Sequence, residues 1–136
     1  MNNLKFRAYI KSIQKIVDVL EIDFKNKMAT LDIATNKVYP EFSFWWKETE
    51  LPFSQVIIMQ STGLFDKYGV EIYEGDILTD EGNFENDYWD YATIEFDKTD
   101  YTYYIHWKRE EVCENITDCY KYTVTGNIYE NKELLG

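Results

Sequence analysis

His106 is the only histidine in the chain, and Cys113 and Cys119 are its only cysteines. A Cys–His pair can act as nucleophile and base when a third group orients the imidazole and an oxyanion hole faces the sulfur. No local signature around Cys113 supplies either. Zinc asks for four ligands, or three and a water. His106, Cys113 and Cys119 are the only soft candidates, and their spacings fit no finger pattern. The plainer reading is two buried or hairpin-flanking thiols, with Glu114 to Asp118 as the turn that places the sulfurs across strands. A disulfide there is sterically conceivable, but a reducing cell disfavours it.

Carboxylates are the other resource. Of 25 acids and 14 bases, the stretch from Asp66 to Asp100 holds twelve acids and only Lys67 and Lys98 as bases. That is −10 of a total net charge of −11. Phosphate backbones repel such a surface, so direct nucleic-acid binding is not expected. Calcium needs about six to eight oxygens, and the run from Asp80 to Asp87 has them without the spacing of an EF-hand loop. No acid pair can be singled out for glycoside or phosphodiester chemistry, and no Gly-rich phosphate loop is present. The residues therefore point to no catalytic group, no cofactor and no metal, and the chain is not expected to be an enzyme. Asp80, Glu81, Glu85, Asp87 and Asp90 form a candidate acidic interaction surface. Rows of carboxylates can imitate phosphates and attract a basic partner. The competing reading is a solvated loop that aids solubility.

Aromatics are plentiful, with 4 Trp, 12 Tyr and 8 Phe. Most suit a β-rich core, since rings fit pleated surfaces. A surplus can serve an interface. Phe42, Phe44, Trp45, Trp46 and Phe53 form a candidate aromatic interface, broken by charges and by Pro40 and Pro52. The bland reading is a loop whose rings cover the core.

These groups need elements to hold them. Leu4 to Ile10 alternates apolar and polar, which predicts a half-buried strand. Ile16 to Phe24 reads as a second strand, with Ile16, Leu20, Ile22 and Phe24 on one face and Val17, Val19, Glu21 and Asp23 on the other. A helix over Ser12 to Leu20 competes, and the β-branched residues favour the strand. Lys25 to Lys27 is a turn into Met28 to Ile33, and Thr35 to Lys37 is another. Gln55 to Gln60 is a short buried strand. Four of the six glycines fall between Gly63 and Gly82, marking tight turns. Asp66-Lys67-Tyr68-Gly69 and Tyr73-Glu74-Gly75-Asp76 are two of them. Ile77-Leu78 opens a strand, Ala92 to Phe96 is a strand and Asp97 to Asp100 a turn. Tyr101 to Trp107 is a strand that leaves His106 exposed opposite Ile105 and Trp107. Tyr120 to Val124 is the last strand. Asn131 is a good N-cap, so a short C-terminal helix is expected over Asn131 to Leu135.

The expected fold is mostly β. An N-terminal antiparallel β meander or sheet (residues 1–62) would pack beside a small SH3-like barrel (residues 63–136), either as two subdomains or as one integrated domain. At 136 residues the chain can bury about two-thirds of its unfolded surface without staples. No signal-peptide run or membrane span is visible. With only two cysteines, a cytoplasmic setting is expected.

Three stretches taken together resemble the YopX family of phage and prophage proteins. They are Lys5-Phe6-Arg7-Ala8, then Met59 to Leu64 running through Asp66-Lys67-Tyr68-Gly69 into Glu71 to Ile77, and Gly126 to Asn131. The resemblance spans the chain in order, except Asn83 to Thr117. Tyr9 stands where that family usually has Trp, and Lys132 where a Pro usually starts the closing helix. The resemblance implies an accessory protein of temperate phages and carries no catalytic residue. The expected function is a protein-interaction or self-assembly module in the host cell. A nucleic-acid mimic that blocks a host DNA-binding protein is the alternative, and a divalent-metal-dependent hydrolase is the third reading. The expected partner is a host protein or a second copy in a homo-oligomer, with no membrane.

Overall fold

A computed structural model describes residues 5–32, 48–80 and 90–135. The chain forms two compact units that meet in sequence between Gln60 and Ser61.

The first unit is an antiparallel sheet. Strand β1 (Phe6–Ile10) lies between β2 (Lys15–Asp23) and β5 (Val56–Phe65). Beyond β2 come β3 (Met28–Asp32) and β4 (Glu48–Pro52). The core is Ala8, Ile10, Val17, Ala29, Leu31 and Val56, with Ile13, Val19, Leu51, Phe53 and Ile58 packed on it. The β2–β3 turn is fixed locally. Asp23 Oδ1 accepts from the Asn26 N–H at 3.1 Å, Asp23 Oδ2 from the Asn26 side chain at 2.8 Å, and Lys27 takes φ 56°. Those bonds hold the Asp23 carboxyl below its ordinary pKa.

Two expectations change here. The inward face of β2 starts with Val17 and Val19, while Leu20 and Phe24 are exposed. The reason is a β-bulge. Val19 pairs with Leu31 and Glu21 with Thr30, so Leu20 is an extra residue and the inward face passes to Ile22 opposite Ala29. The second change is at 48–52, where loop was expected and β4 forms against β3. Its Pro52 ends an outer strand, where no ladder donor is needed. Phe42, Phe44, Trp45, Trp46 and the turn at 35–37 lie outside the described residues.

In the second unit, the end of β5 pairs with β6 (Glu71–Tyr73). A five-stranded antiparallel sheet follows: β7 (Asp76–Thr79), β8 (Ala92–Asp97), β9 (Thr102–Trp107), β10 (Val112–Asn115) and β11 (Thr123–Asn127). Its order is β10-β9-β8-β7-β11. The core is Ile72, Leu78, Ala92, Ile94, Ile105 and Cys119, flanked by Leu64, Tyr103, Trp107, Ile116, Tyr122 and Val124. Ile94 and Ile105 are cross-strand partners, so one face of the β8–β9 hairpin builds this core.

The chain from Ile116 to Lys121 is a 3₁₀ turn, not the start of a strand. Asn115 Oδ1 accepts from the Thr117 N–H at 2.9 Å and starts the turn, so the last strand begins at Thr123. The expected C-terminal helix is a single 3₁₀ turn over Lys132–Leu135. Asn131 Oδ1 accepts from the Asn127 N–H at 3.0 Å, so it is not free to cap a helix. The turn is tied instead by Leu134 N–H to Asn131 O at 2.9 Å and by Tyr91 Oη to Leu135 O at 3.0 Å.

Candidate functional site

The two cysteines do not face each other across a hairpin. Cys113 is exposed on β10 and Cys119 is buried in the 3₁₀ turn, and both are free. Burial pushes the Cys119 thiol above its ordinary pKa, and its sulfur lies 3.7 Å from Phe65 O. Among the described residues no group of three or more His, Cys, Asp or Glu side chains is placed to hold a metal.

His106 is not exposed: its side chain is only 19 % accessible. It belongs to a polar cluster on the face of β8–β9 opposite the core. The register places Thr93 beside His106 and Glu95 beside Tyr104. Glu95 Oε2 accepts from Thr93 Oγ1 at 2.5 Å and Lys108 Nζ at 2.5 Å, and lies 2.8 Å from His106 Nδ1. Glu95 Oε1 accepts from Tyr104 Oη at 3.0 Å. Partial burial alone would raise the Glu95 pKa. The bonds from Lys108, Thr93, His106 and Tyr104 outweigh it and hold the carboxyl at about 2. Burial and the neighbouring Glu95 charge push Tyr104 up to about 12. Sequence reasoning missed this cluster. The signal was the turn closed by the pair Asp97 and Thr102, because counting two residues outward from each puts Glu95 against Tyr104.

A second carboxylate is engaged on the core side. Glu114 Oε1 accepts from Trp107 Nε1 at 2.9 Å and Tyr122 Oη at 2.7 Å, and the two rings meet edge-on at 4.9 Å. Between β9, β10 and the β8–β9 turn lies an open groove of about 440 Å³, lined by Asp97, Asp100, Tyr103, Tyr104, Cys113 and Glu114 among others.

Of the candidate acidic surface, Asp90 Oδ1 accepts from the N–H groups of Tyr91 at 2.8 Å and Arg109 at 3.1 Å. Asp80 is half-buried just after β7; burial first and then Glu114 raise the Tyr122 pKa, and the Asp80 charge adds to them. Glu81, Glu85 and Asp87 lie outside the described residues. Of the candidate aromatic interface, Phe53 packs on the first core, and its ring meets that of the exposed Phe24 edge-on at 6.2 Å.

The residues that carry the family resemblance hold backbone. Asp66 is buried, and its Oδ1 accepts from Tyr68 and Val70 N–H at 2.8 Å each. The turn closes from Gly69 N–H to Asp66 O at 3.1 Å, with Gly69 at φ 82°. Asp76 Oδ2 accepts from the Tyr73 N–H at 2.8 Å around Gly75. Asn127 Oδ1 accepts from Tyr129 and Glu130 N–H. A Cβ on Gly126 would sit 2.5 Å from Asn131 Oδ1.

Two antiparallel β units with scaffold-bound polar side chains define an all-β protein. The sequence matches the YopX family over residues 5–136, and the chain belongs to that family. It is similar to the crystal structure of protein EF1440 from Enterococcus faecalis, at 30 % identity and TM-score 0.63 over 100 % of both chains. No curated protein matches it. No helix among the described residues is long and apolar enough to cross a membrane.

Proposed function

We propose that this chain is a phage or prophage accessory protein that acts by binding a host protein or its own copies, without catalysis, in the host cytoplasm. The observation that carries the reading is the display of apolar side chains outside both cores. Phe24, Tyr68, Tyr101 and Tyr120 are all more than 60 % or nearly so accessible, at 75, 62, 81 and 60 %. Aromatic rings give large contact area at low entropic cost. The non-catalytic part is supported by the strongly shifted groups: Glu95 and Tyr104 bond each other inside a closed network. Two free thiols suit a reducing compartment. The second unit is read as a small barrel of SH3-like type. Its strand order, with a 3₁₀ turn between the last two strands, supports this.

Light scattering of the full chain across a concentration series, beside a pull-down from nuclease-treated bacterial lysate, tests the proposal. Self-assembly or a stoichiometric protein partner is expected. A strict monomer that retains no protein overturns it. The same bait with Asp80, Glu81, Glu85, Asp87 and Asp90 neutralised to Asn or Gln is expected to keep its partner. Loss of a captured nucleic-acid-binding protein from that variant would install the mimic in its place.

A further inference from the structure

Three groups of the β8–β9 cluster meet at one point. His106 Nδ1 lies 2.8 Å from Glu95 Oε2 and 3.0 Å from Lys108 Nζ, and Lys108 Nζ is 2.5 Å from the same Oε2. The three sides of this triangle are never favourable together, because Nδ1 carries either a lone pair or a proton. A lone pair there accepts from Lys108 and faces the Glu95 oxygen as a second acceptor. A proton there is donated to Glu95 and faces the Lys108 ammonium as a second donor.

The central oxygen is also oversubscribed. A carboxylate oxygen offers about two lone-pair directions. Glu95 Oε2 has three claimants, Thr93 Oγ1, Lys108 Nζ and His106 Nδ1, while Tyr104 Oη occupies Oε1. Burial raises the Glu95 pKa and these bonds bring it to about 2, so the carboxylate stays charged where histidines titrate. Tyr104, pushed up to about 12 by burial and Glu95, stays neutral there. The other neighbours on this face are Cys113, opposite His106 on β10, and Asp97, two residues beyond Glu95 on β8. On the β7 side, apolar Ile77 pairs with Thr93. The two competing cations are partly shielded, with His106 19 % and Lys108 31 % accessible. Their mutual repulsion is therefore screened less than it would be between exposed groups.

We propose that protonation of His106 exchanges the cation on Glu95: the imidazolium takes the Oε2 site and the Lys108 ammonium is released to solvent. In the neutral ring the proton is on Nε2, and Lys108 bridges Nδ1 and Oε2. Acidification adds one proton from solvent at Nδ1, and no other bond to hydrogen is made or broken. Nδ1–H then donates to Oε2, and two like charges about 3 Å apart cannot both stay. The backbone at Lys108 is held separately, by Lys108 N–H to Tyr91 O at 3.0 Å and Arg109 N–H to Asp90 Oδ1 at 3.1 Å. The side chain therefore swings alone, and the outer face of the hairpin gains an accessible lysine in acid. This device does not depend on the interaction reading.

Nitrogen-15 NMR of the full chain tests it. His106 is the only histidine, so its ring nitrogens need no assignment. The Lys108 Nζ resonance is identified by its loss in Lys108→Met. At pH 8 the ring is expected as the Nε2–H tautomer with Nδ1 unprotonated. Between pH 8 and pH 5 the Lys108 Nζ resonance is expected to move to the position of the exposed lysines, in step with the His106 ring. His106→Gln removes the titrating group, and there Lys108 Nζ should keep its pH 8 position throughout. Thr93→Val removes one claimant from Oε2, so Lys108 should stay bound while His106 titrates. An Nδ1–H tautomer at pH 8, or a Lys108 resonance that stays put while the parent ring titrates, overturns the exchange. So does the same Lys108 movement in either His106→Gln or Thr93→Val.

Discussion

Asp66 Oδ2 accepts a hydrogen bond from the Val124 N–H at 2.9 Å, across 58 positions of sequence. The other oxygen of the same carboxylate organises the β5–β6 turn. One buried side chain thus ties the turn after β5 to the last strand of the sheet. The residue types that carry the family resemblance are therefore explained by backbone that would otherwise lie unpaired.

Asp66→Ala leaves three N–H groups, those of Tyr68, Val70 and Val124, without their acceptor. Loss of stability of about 3 kcal/mol is expected, since each orphaned buried donor costs about 1–3 kcal/mol before relaxation. Urea unfolding followed by tryptophan fluorescence measures it. A loss below about 1 kcal/mol would show that water replaces the carboxylate.

Gly126→Ala forces Asn131 away from its place, because the new Cβ would lie 2.5 Å from Oδ1 and 2.7 Å from Cγ. A destabilisation of about 1–3 kcal/mol is expected from overpacking and the lost Asn127 bond. The cost should shrink when Asn131 is already Ala. A double-mutant cycle reads this, and additive costs would show that the two residues do not couple.

Glu95 predicts an acid limb. Its folded pKa, about 2, lies below the ordinary 4.5, so its contribution is complete above about pH 4.5 and fades as pH falls towards 2. Glu95→Gln should cost about 1–2 kcal/mol near neutrality, discounted because the group is partly solvated. The gap between parent and variant should close on acidification. Unfolding curves from pH 7 to pH 2 check this, and a constant gap would separate the stabilisation from the carboxylate's charge.

Thiol titration of the native chain should find Cys113 at once and Cys119 only after denaturant is added. Two fast thiols in the native chain would mean that the 3₁₀ turn around Cys119 opens readily.

Much of the fold is legible because it is local. The turns at Asp66–Gly69 and Gly75 are written in residues that adopt or cap them, and the alternation of β8 and β9 runs unbroken on both sides of the Asp97 turn. The strand expected at Tyr120–Val124 was misplaced because its aromatic and β-branched residues fit a core-facing 3₁₀ turn as well as a strand. There Cys119 is buried, Tyr120 exposed and Tyr122 packed on Trp107. The Glu95 cluster was missed for a different reason. Its partners lie 11 and 13 residues away and meet only through hairpin register.

The bulge in β2 has a consequence for how the strand can change length. Burial along a strand behaves like a reading frame of two, and Leu20 is the inserted letter that shifts it. Deleting Leu20 would leave Val17, Val19 and Ile22 in one regular phase. Deleting a residue on either side of that window would turn one half of the strand inside out. A deletion in this strand has one neighbourhood in which the core does not register it.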